Sequence, residues 1–225
     1  GSSDFADSYY SLDDSAGDLA LANLSLARDR EKLLPFIHAA AAVNPQLTLW
    51  GSPWSAPTWM KDSAPQMPHN EGCGSLALTP AVRVAYAEYL ARAALAYRAE
   101  GLRFEHLAVQ NEPNQGDTWH NASRSFHDSY PKMHWTGEGL RDFVRDYLGP
   151  AFAAHNLSGA VGILLSTFPV NEFESYVQPA LADEGALAYL AGVGLQYAGV
   201  GMVGAIRAAA PWLKTWETET PCGGG

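Results

Sequence analysis

The sequence predicts an α/β fold, a (β/α)8 TIM barrel of which only part is present. Three observations lead there. Strand-like apolar runs alternate with helix-period segments along most of the 225 residues, and such alternation is made by parallel strands joined through right-handed crossovers. No Gly-rich phosphate loop follows any of these runs, which counts against a doubly wound dinucleotide-binding sheet and favours the barrel. Five strands are legible, with the tail of another at Gly1–Phe5, where a closed barrel has eight. Residues 1–225 are therefore read as one incomplete barrel domain.

A helix is predicted around Arg28–Val43, with Pro35 as a kink or a late start. Leu47–Trp50 is the first strand, followed by the Pro-punctuated loop GSPWSAPTWMKD. Thr79-Pro80 reads as an N-cap with proline at the first helical position. Val82, Tyr86, Tyr89, Leu90, Ala93 and Tyr97 keep the three-to-four spacing of a helix that ends at Gly101. Strand Phe104–Gln110 runs directly into NEPNQGDTW. A helix over Gly139–Leu148 stops near Gly149-Pro150. Then follow strand Val161–Ser166, helix Glu172–Leu181, strand Gly192–Gln196, helix Met202–Ala209 and strand Leu213–Thr218.

Composition narrows the function classes. With 47% hydrophobic and 17% charged residues the chain is not disordered. A net charge of −10 argues against nucleic acid and against docking on anionic lipid, and is compatible with a neutral substrate. No apolar run approaches the ~20 residues of a membrane span, so no transmembrane segment is expected. No signal peptide is visible, though the chain does not begin with Met. Cys73 and Cys222 are too few for a disulfide scaffold or a zinc site and are read as free thiols in preference to a single bridge between them. Sequons at Asn23, Asn121 and Asn156 lean towards secretion.

Two glutamates carry the candidate chemistry. Glu112 follows one strand in VQNEP, and Glu219 ends another in KTWETET. In a barrel the carboxyl ends of the strands line the active face. Two carboxylates there can converge on one bond, as glycoside hydrolysis requires: one protonates the leaving oxygen while the other meets the oxocarbenium-like carbon. Either one taken singly reads more readily as a solvated loop charge or an N-cap partner; the pair, at two strand ends beside aromatic-rich loops, favours function. Asn111 can bond a sugar hydroxyl or serve as a turn residue before Pro113. Trp54, Trp59, Trp119 and Trp135 all fall in loops. They read as a carbohydrate platform in part and as packing for at least half. His120, His127 and His134 form no metal-ligand pattern, and no metal or cofactor is expected. Gly72-Cys73-Gly74-Ser75-Leu76 is not a nucleophile elbow.

Eight segments in fixed order (SSDFADSYYS, LANLSL, LLPFIHAA, SPWSAPTWMK, GSL, LAVQNEP, DFVRDYLGP and TETPCG) resemble glycoside hydrolase family 30, the glucosylceramidase-like enzymes. SPWSAPTWMK with QNEP downstream is the specific signal. The resemblance implies that Glu112 is the acid/base and Glu219 the nucleophile, with Glu217 the alternative because it lies on the same side of an ideal strand. It implies Asn111 beside the acid/base, Trp54 as a wall of the sugar site, Asp4 as a binder of sugar hydroxyls, and Tyr197 as the aromatic after the sixth barrel strand. Gln196-Tyr197-Ala198 replaces the His-Trp-Tyr run of the mammalian lysosomal type, and Pro221 lengthens the loop after Glu219. The family's first strand, most of its second, its eighth strand and its companion β-sandwich have no counterpart in the sequence. The function implied is a retaining β-glycosidase that takes a β-linked glycoside or glycolipid such as glucosylceramide. β-Xylosidase and endo-β-1,6-glucanase activity within the same family are the alternatives, and an inactive fragment that only binds carbohydrate is a third. The compartment implied is extracellular or lysosome-like.

Overall fold

A computed structural model describes residues 9–62, 74–77, 79–114 and 131–220. Five strands form one sheet: β1 (Leu49–Gly51), β2 (Phe104–Ala108), β3 (Gly162–Phe168), β4 (Leu190–Gln196) and β5 (Lys214–Glu219). Every neighbouring pair is parallel, and the spatial order β1-β2-β3-β4-β5 is the sequence order. A doubly wound sheet reverses its order at a switch point; this sheet does not.

Side-chain contacts show that the sheet curls. His106 on β2 and Trp216 on β5 bring their ring centroids to 4.6 Å. Three strand spacings separate β2 from β5, which in a flat sheet is roughly 14 Å. Only a sheet closing on itself lets these rings meet, so the five strands are an arc of a barrel with both rings inside it. Glycine makes room for the imidazole: a Cβ on Gly162 would stand 2.7 Å from His106 Cδ2.

The convex face carries the main core. Val109, Leu165 and Val193 are fully buried and pack with Tyr86, Leu90, Leu140, Phe143 and Phe152 from the helices. The long helix α3 (Pro80–Ala99) starts as its sequence dictates, with the Thr79 side chain accepting from the Val82 N–H and proline in the first turn. Its Tyr86 hydroxyl donates to the Val109 carbonyl at 3.3 Å, tying the helix to the end of β2. α1 (Ala27–Glu31) and α2 (Leu33–Val43) divide the predicted N-terminal helix at Lys32, with Pro35 in the first turn of α2. Asp29, buried on α1, accepts from the hydroxyls of Tyr10 and Tyr97. The Leu12 N–H donates to Tyr89. These bonds hold the N-terminal segment against α3.

One helix overruns its predicted stop. α4 (Gly137–Phe143) continues through a π-helical turn, Val144–Leu148, into α5 (Gly149–Ala154). Pro150 has no N–H and would break an α-helical ladder. The π-turn takes up the difference: the Gly149 N–H reaches back to the Val144 carbonyl, and Pro150 falls in the first turn of α5. Gly149 also gives way to Tyr189, whose ring leaves no space for a Cβ. The predicted helix at 172–181 likewise opens on a π-turn, Phe173–Val177, before α6 (Gln178–Leu181). α7 (Glu184–Leu187), capped by Asp183, was not foreseen, and α8 (Val203–Ala209) completes the helices. Among the described residues no helix is long and apolar enough to cross a membrane.

Candidate active site

The carboxyl ends of β2, β3, β4 and β5 meet on one rim, and the polar residues there form a connected group. After β2 the chain runs through Gln110 to Asn111, held between two neighbours. The Asn111 N–H donates to the Pro53 carbonyl at 2.7 Å, and the Thr167 N–H donates to the Gln110 carbonyl at 3.1 Å. Ser166 Oγ donates to the same carbonyl at 2.6 Å. The next residue, Glu112, has φ +49° and donates its N–H to the Thr167 carbonyl at 3.0 Å. A left-handed glutamate is strained backbone of the kind that collects at functional sites, costing ~1–3 kcal/mol.

Asn111 is 5% exposed. Its Oδ1 accepts from Thr167 Oγ1 at 3.0 Å and from Gln196 Nε2 at 2.9 Å. Both lone pairs are thereby used, so the amide orientation is fixed and its Nδ2 donors point away from β3 and β4.

Glu219, the last residue of β5, is gripped by both of its oxygens. Tyr197 donates its hydroxyl to Oε1 at 2.5 Å, and Gln196 donates Nε2 to Oε2 at 3.1 Å. Consecutive residues of an extended strand point to opposite faces, yet Gln196 and Tyr197 reach the same carboxylate. Tyr197 makes this possible by leaving β4 in the left-handed region, at φ +44°.

The structure separates Glu217 from Glu219, correcting the expectation that both point to the same side. Glu217 pairs with Leu195, and Glu219 with Gln196, so Thr218 is an extra residue in the register. Leu195 belongs to the core under the helices, and Glu217 shares that face of the sheet and is exposed. The bulge turns Glu219 to the face of Gln196, as bulges re-aim side chains elsewhere. Thr218 Oγ1 donates to the Leu195 carbonyl at 3.1 Å and holds the bulge.

The remaining candidates divide. Trp54 is half-buried beside this group, its carbonyl accepting from Gln110 Nε2 at 2.5 Å. Trp135 is core, with its ring 5.1 Å from Phe143 and 6.4 Å from Tyr86. Trp59 donates Nε1 to the Asp13 carbonyl and packs against the core. Asp4, Cys73, Trp119, His120, Asn121, His127 and Cys222 lie outside the described residues. Among the described residues no group of three or more His, Cys, Asp or Glu could hold a metal ion.

Sequence reasoning passed over Gln110, Ser166, Thr167 and, as a site residue, Gln196. All four are fully buried. The available signal was a polar side chain at the carboxyl end of an apolar strand, where a buried polar group must have a partner. Asn114, two residues after Glu112, donates Nδ2 to Glu172 Oε2 at 2.7 Å and extends the polar rim.

Comparison with known proteins agrees with this architecture. A family model described as the glycosyl hydrolase family 30 TIM-barrel domain matches residues 1–201. Putative glucosylceramidase 1 of Caenorhabditis elegans is 31% identical over 199 residues, covering 86% of this chain and 36% of its own length. Lysosomal acid glucosylceramidase of Mus musculus is 31% identical over 202 residues, covering 87% of this chain and 36% of its own. Among solved structures, SrfJ from Salmonella typhimurium superposes with a TM-score of 0.80 at 25% identity, over 100% of this chain and 47% of that one. The endo-β1,6-glucanase BT3312 gives a TM-score of 0.80 at 27% identity, over 99% and 48%. The chain thus spans about a third of the length of these curated relatives and about half of the solved chains.

Proposed function

The chain belongs to glycosyl hydrolase family 30, and on that premise we propose that it carries the catalytic centre of a retaining β-glycosidase. Glu219 is the nucleophile and Glu112 the acid/base. The observation that supports this most is the grip on Glu219: one donor on each carboxylate oxygen, from Gln196 and Tyr197, with the same Gln196 amide also bonded to Asn111, the neighbour of Glu112.

The chemistry is double displacement. A Glu219 oxygen attacks the anomeric carbon as the bond to the aglycone breaks, and Glu112 gives its proton to the departing oxygen. The products of this step are a glycosyl ester on Glu219 and a Glu112 carboxylate. That carboxylate then takes a proton from water, whose oxygen attacks the same carbon and frees Glu219. Two inversions return the β configuration. The reaction requires the carboxyl groups ~5–5.5 Å apart. Asn111, with Oδ1 occupied, offers its Nδ2 to the sugar 2-hydroxyl, a bond that strengthens in the transition state. Trp54 supplies an apolar wall and Asp4 a contact to sugar hydroxyls.

The substrate proposed is a β-glucoside, with a glucolipid as the first aglycone to test, because the relatives named glucosylceramidase match over most of the chain. An endo-β-1,6-glucanase is the second reading. It is supported by the fold match to one such enzyme and by an endo-1,6-β-D-glucanase of Neurospora crassa, 31% identical over 144 residues. A lysosome-like or extracellular compartment accompanies the first reading. The test is proton NMR of the first product formed by the protein carrying this chain. Initial appearance of the β-anomer of glucose supports retention; the α-anomer, or no turnover of any β-glucoside or β-1,6-glucan, overturns the reading.

A further inference from the structure

Gln196 stands out among the residues to which the resemblance gave no role. It is fully buried at the end of β4. Its Nε2 lies 2.9 Å from Asn111 Oδ1, 3.1 Å from Glu219 Oε2 and 3.3 Å from Thr167 Oγ1. Three oxygens around one atom fix which end of the amide faces them, since the flipped amide would set a carbonyl against a carboxylate. The hydrogens then have one consistent arrangement. Thr167 has a single proton and gives it to Asn111 Oδ1. Gln196 has two, and gives one to Asn111 Oδ1 and one to Glu219 Oε2.

We infer that Gln196 is a positioning residue that sets two groups at once: the rotation of the Glu219 carboxylate and the flip state of the Asn111 amide. Through the second it determines how strongly the enzyme recognises the substrate's 2-hydroxyl. This rests on the reading of Glu219 as nucleophile and of Asn111 as the donor to that hydroxyl. Without the Gln196 donor, Thr167 alone orients Asn111. Its amide can then turn its oxygen outward, presenting an acceptor where a donor is needed.

The test compares an aryl β-glucoside with its 2-deoxy counterpart. For each protein the ratio of kcat/KM for the two substrates measures recognition of the 2-hydroxyl. Gln196→Met, close in volume, is expected to lower kcat for the glucoside on the order of 10–100-fold, the rate equivalent of a hydrogen bond to a charged group. It is also expected to shrink the ratio roughly tenfold, as Asn111→Ala does. The double variant should shrink the ratio no further than either single one, because both remove the same interaction. A role in packing alone would slow both substrates alike and leave the ratio at its wild-type value, and that result overturns the proposal, as does an additive double variant. If the Met variant does not fold, Gln196→Leu, shorter and likewise without a donor for Asn111, takes its place. A shrunken ratio in it supports the proposal and a wild-type ratio overturns it. The wild-type protein is the control on the functional reading. Folded protein that turns over neither substrate overturns that reading and this proposal together, whereas wild-type turnover with unchanged ratios in the variants overturns this proposal alone.

Discussion

Glu217 and Glu219 lie two residues apart on β5 and face opposite sides of the sheet. Thr218 is the extra residue between their partners Leu195 and Gln196. Glu219 consequently shares the rim with Asn111 and Tyr197, while Glu217 is exposed on the face of Leu195. Glu219→Ala is therefore predicted to lower kcat on the order of 10⁴-fold or more, as removal of a nucleophile does. Glu217→Ala should stay within a few-fold of wild type. Steady-state kinetics on an aryl β-glucoside checks both, and added azide should restore turnover to Glu219→Ala by yielding the α-glycosyl azide.

The Tyr197 hydroxyl fixes one oxygen of that carboxylate. Tyr197→Phe keeps the ring and removes the donor. It should lower kcat roughly 10–100-fold, the rate equivalent of one bond to a charged group, with KM little changed. A variant that changed KM alone would place the hydroxyl's role in ground-state binding.

Asp29 tests the scaffold apart from the site. It is buried and accepts from two tyrosine hydroxyls, and burial together with the bonded Asp29 pushes both tyrosines well above the ordinary phenol range. Asp29→Ala leaves those hydroxyls without this acceptor and opens a small void. A loss of about 2–4 kcal/mol is predicted from urea unfolding. Tyr10→Phe, which removes one bond of the pair, should lose less.

His106 gives the stability a pH dependence. Burial pushes its imidazole below the ordinary value, Lys214 adds to this and Glu105 opposes it. The folded chain therefore takes up the proton less readily than the unfolded chain. Well above about pH 6.5 both forms are neutral and His106 contributes no slope. As pH falls through that value the unfolded chain protonates first, and stability declines until the lowered folded value is passed. His106→Gln is predicted to be less stable near pH 7, because the ring contact with Trp216 is lost, but to flatten this slope. Urea midpoints from about pH 7.5 downward decide it.

What the sequence made legible follows from what is local. β2 to β5 and α3 could be read because period-2 and period-3.6 patterns, a Thr-Pro start and a Gly stop are each set by a few neighbouring residues. The sequential parallel order could be inferred because alternation leaves few topologies. The bulge at Thr218 could not be read, since it depends on how β5 registers against β4. Nor could the π-turn before Pro150, since no local pattern separates a Gly149 N–H bonded to the Val144 carbonyl from an ordinary helix stop at Gly-Pro. The sequence pointed to Asn111, Tyr197 and Glu219 through motifs at strand ends. The amide that joins them, Gln196, was hidden because its partners come from β2, β3 and β5 and meet only when the sheet curls.

We propose Glu219 as the nucleophile of a retaining β-glycosidase. Its most direct test is to treat the protein carrying this chain with an activated 2-deoxy-2-fluoro-β-glucoside, digest it, and locate the added sugar by mass spectrometry. A single glycosyl ester on Glu219 is the expected outcome. An ester on Glu217, or none on a folded protein that is hydrolysing β-glucosides, would contradict it.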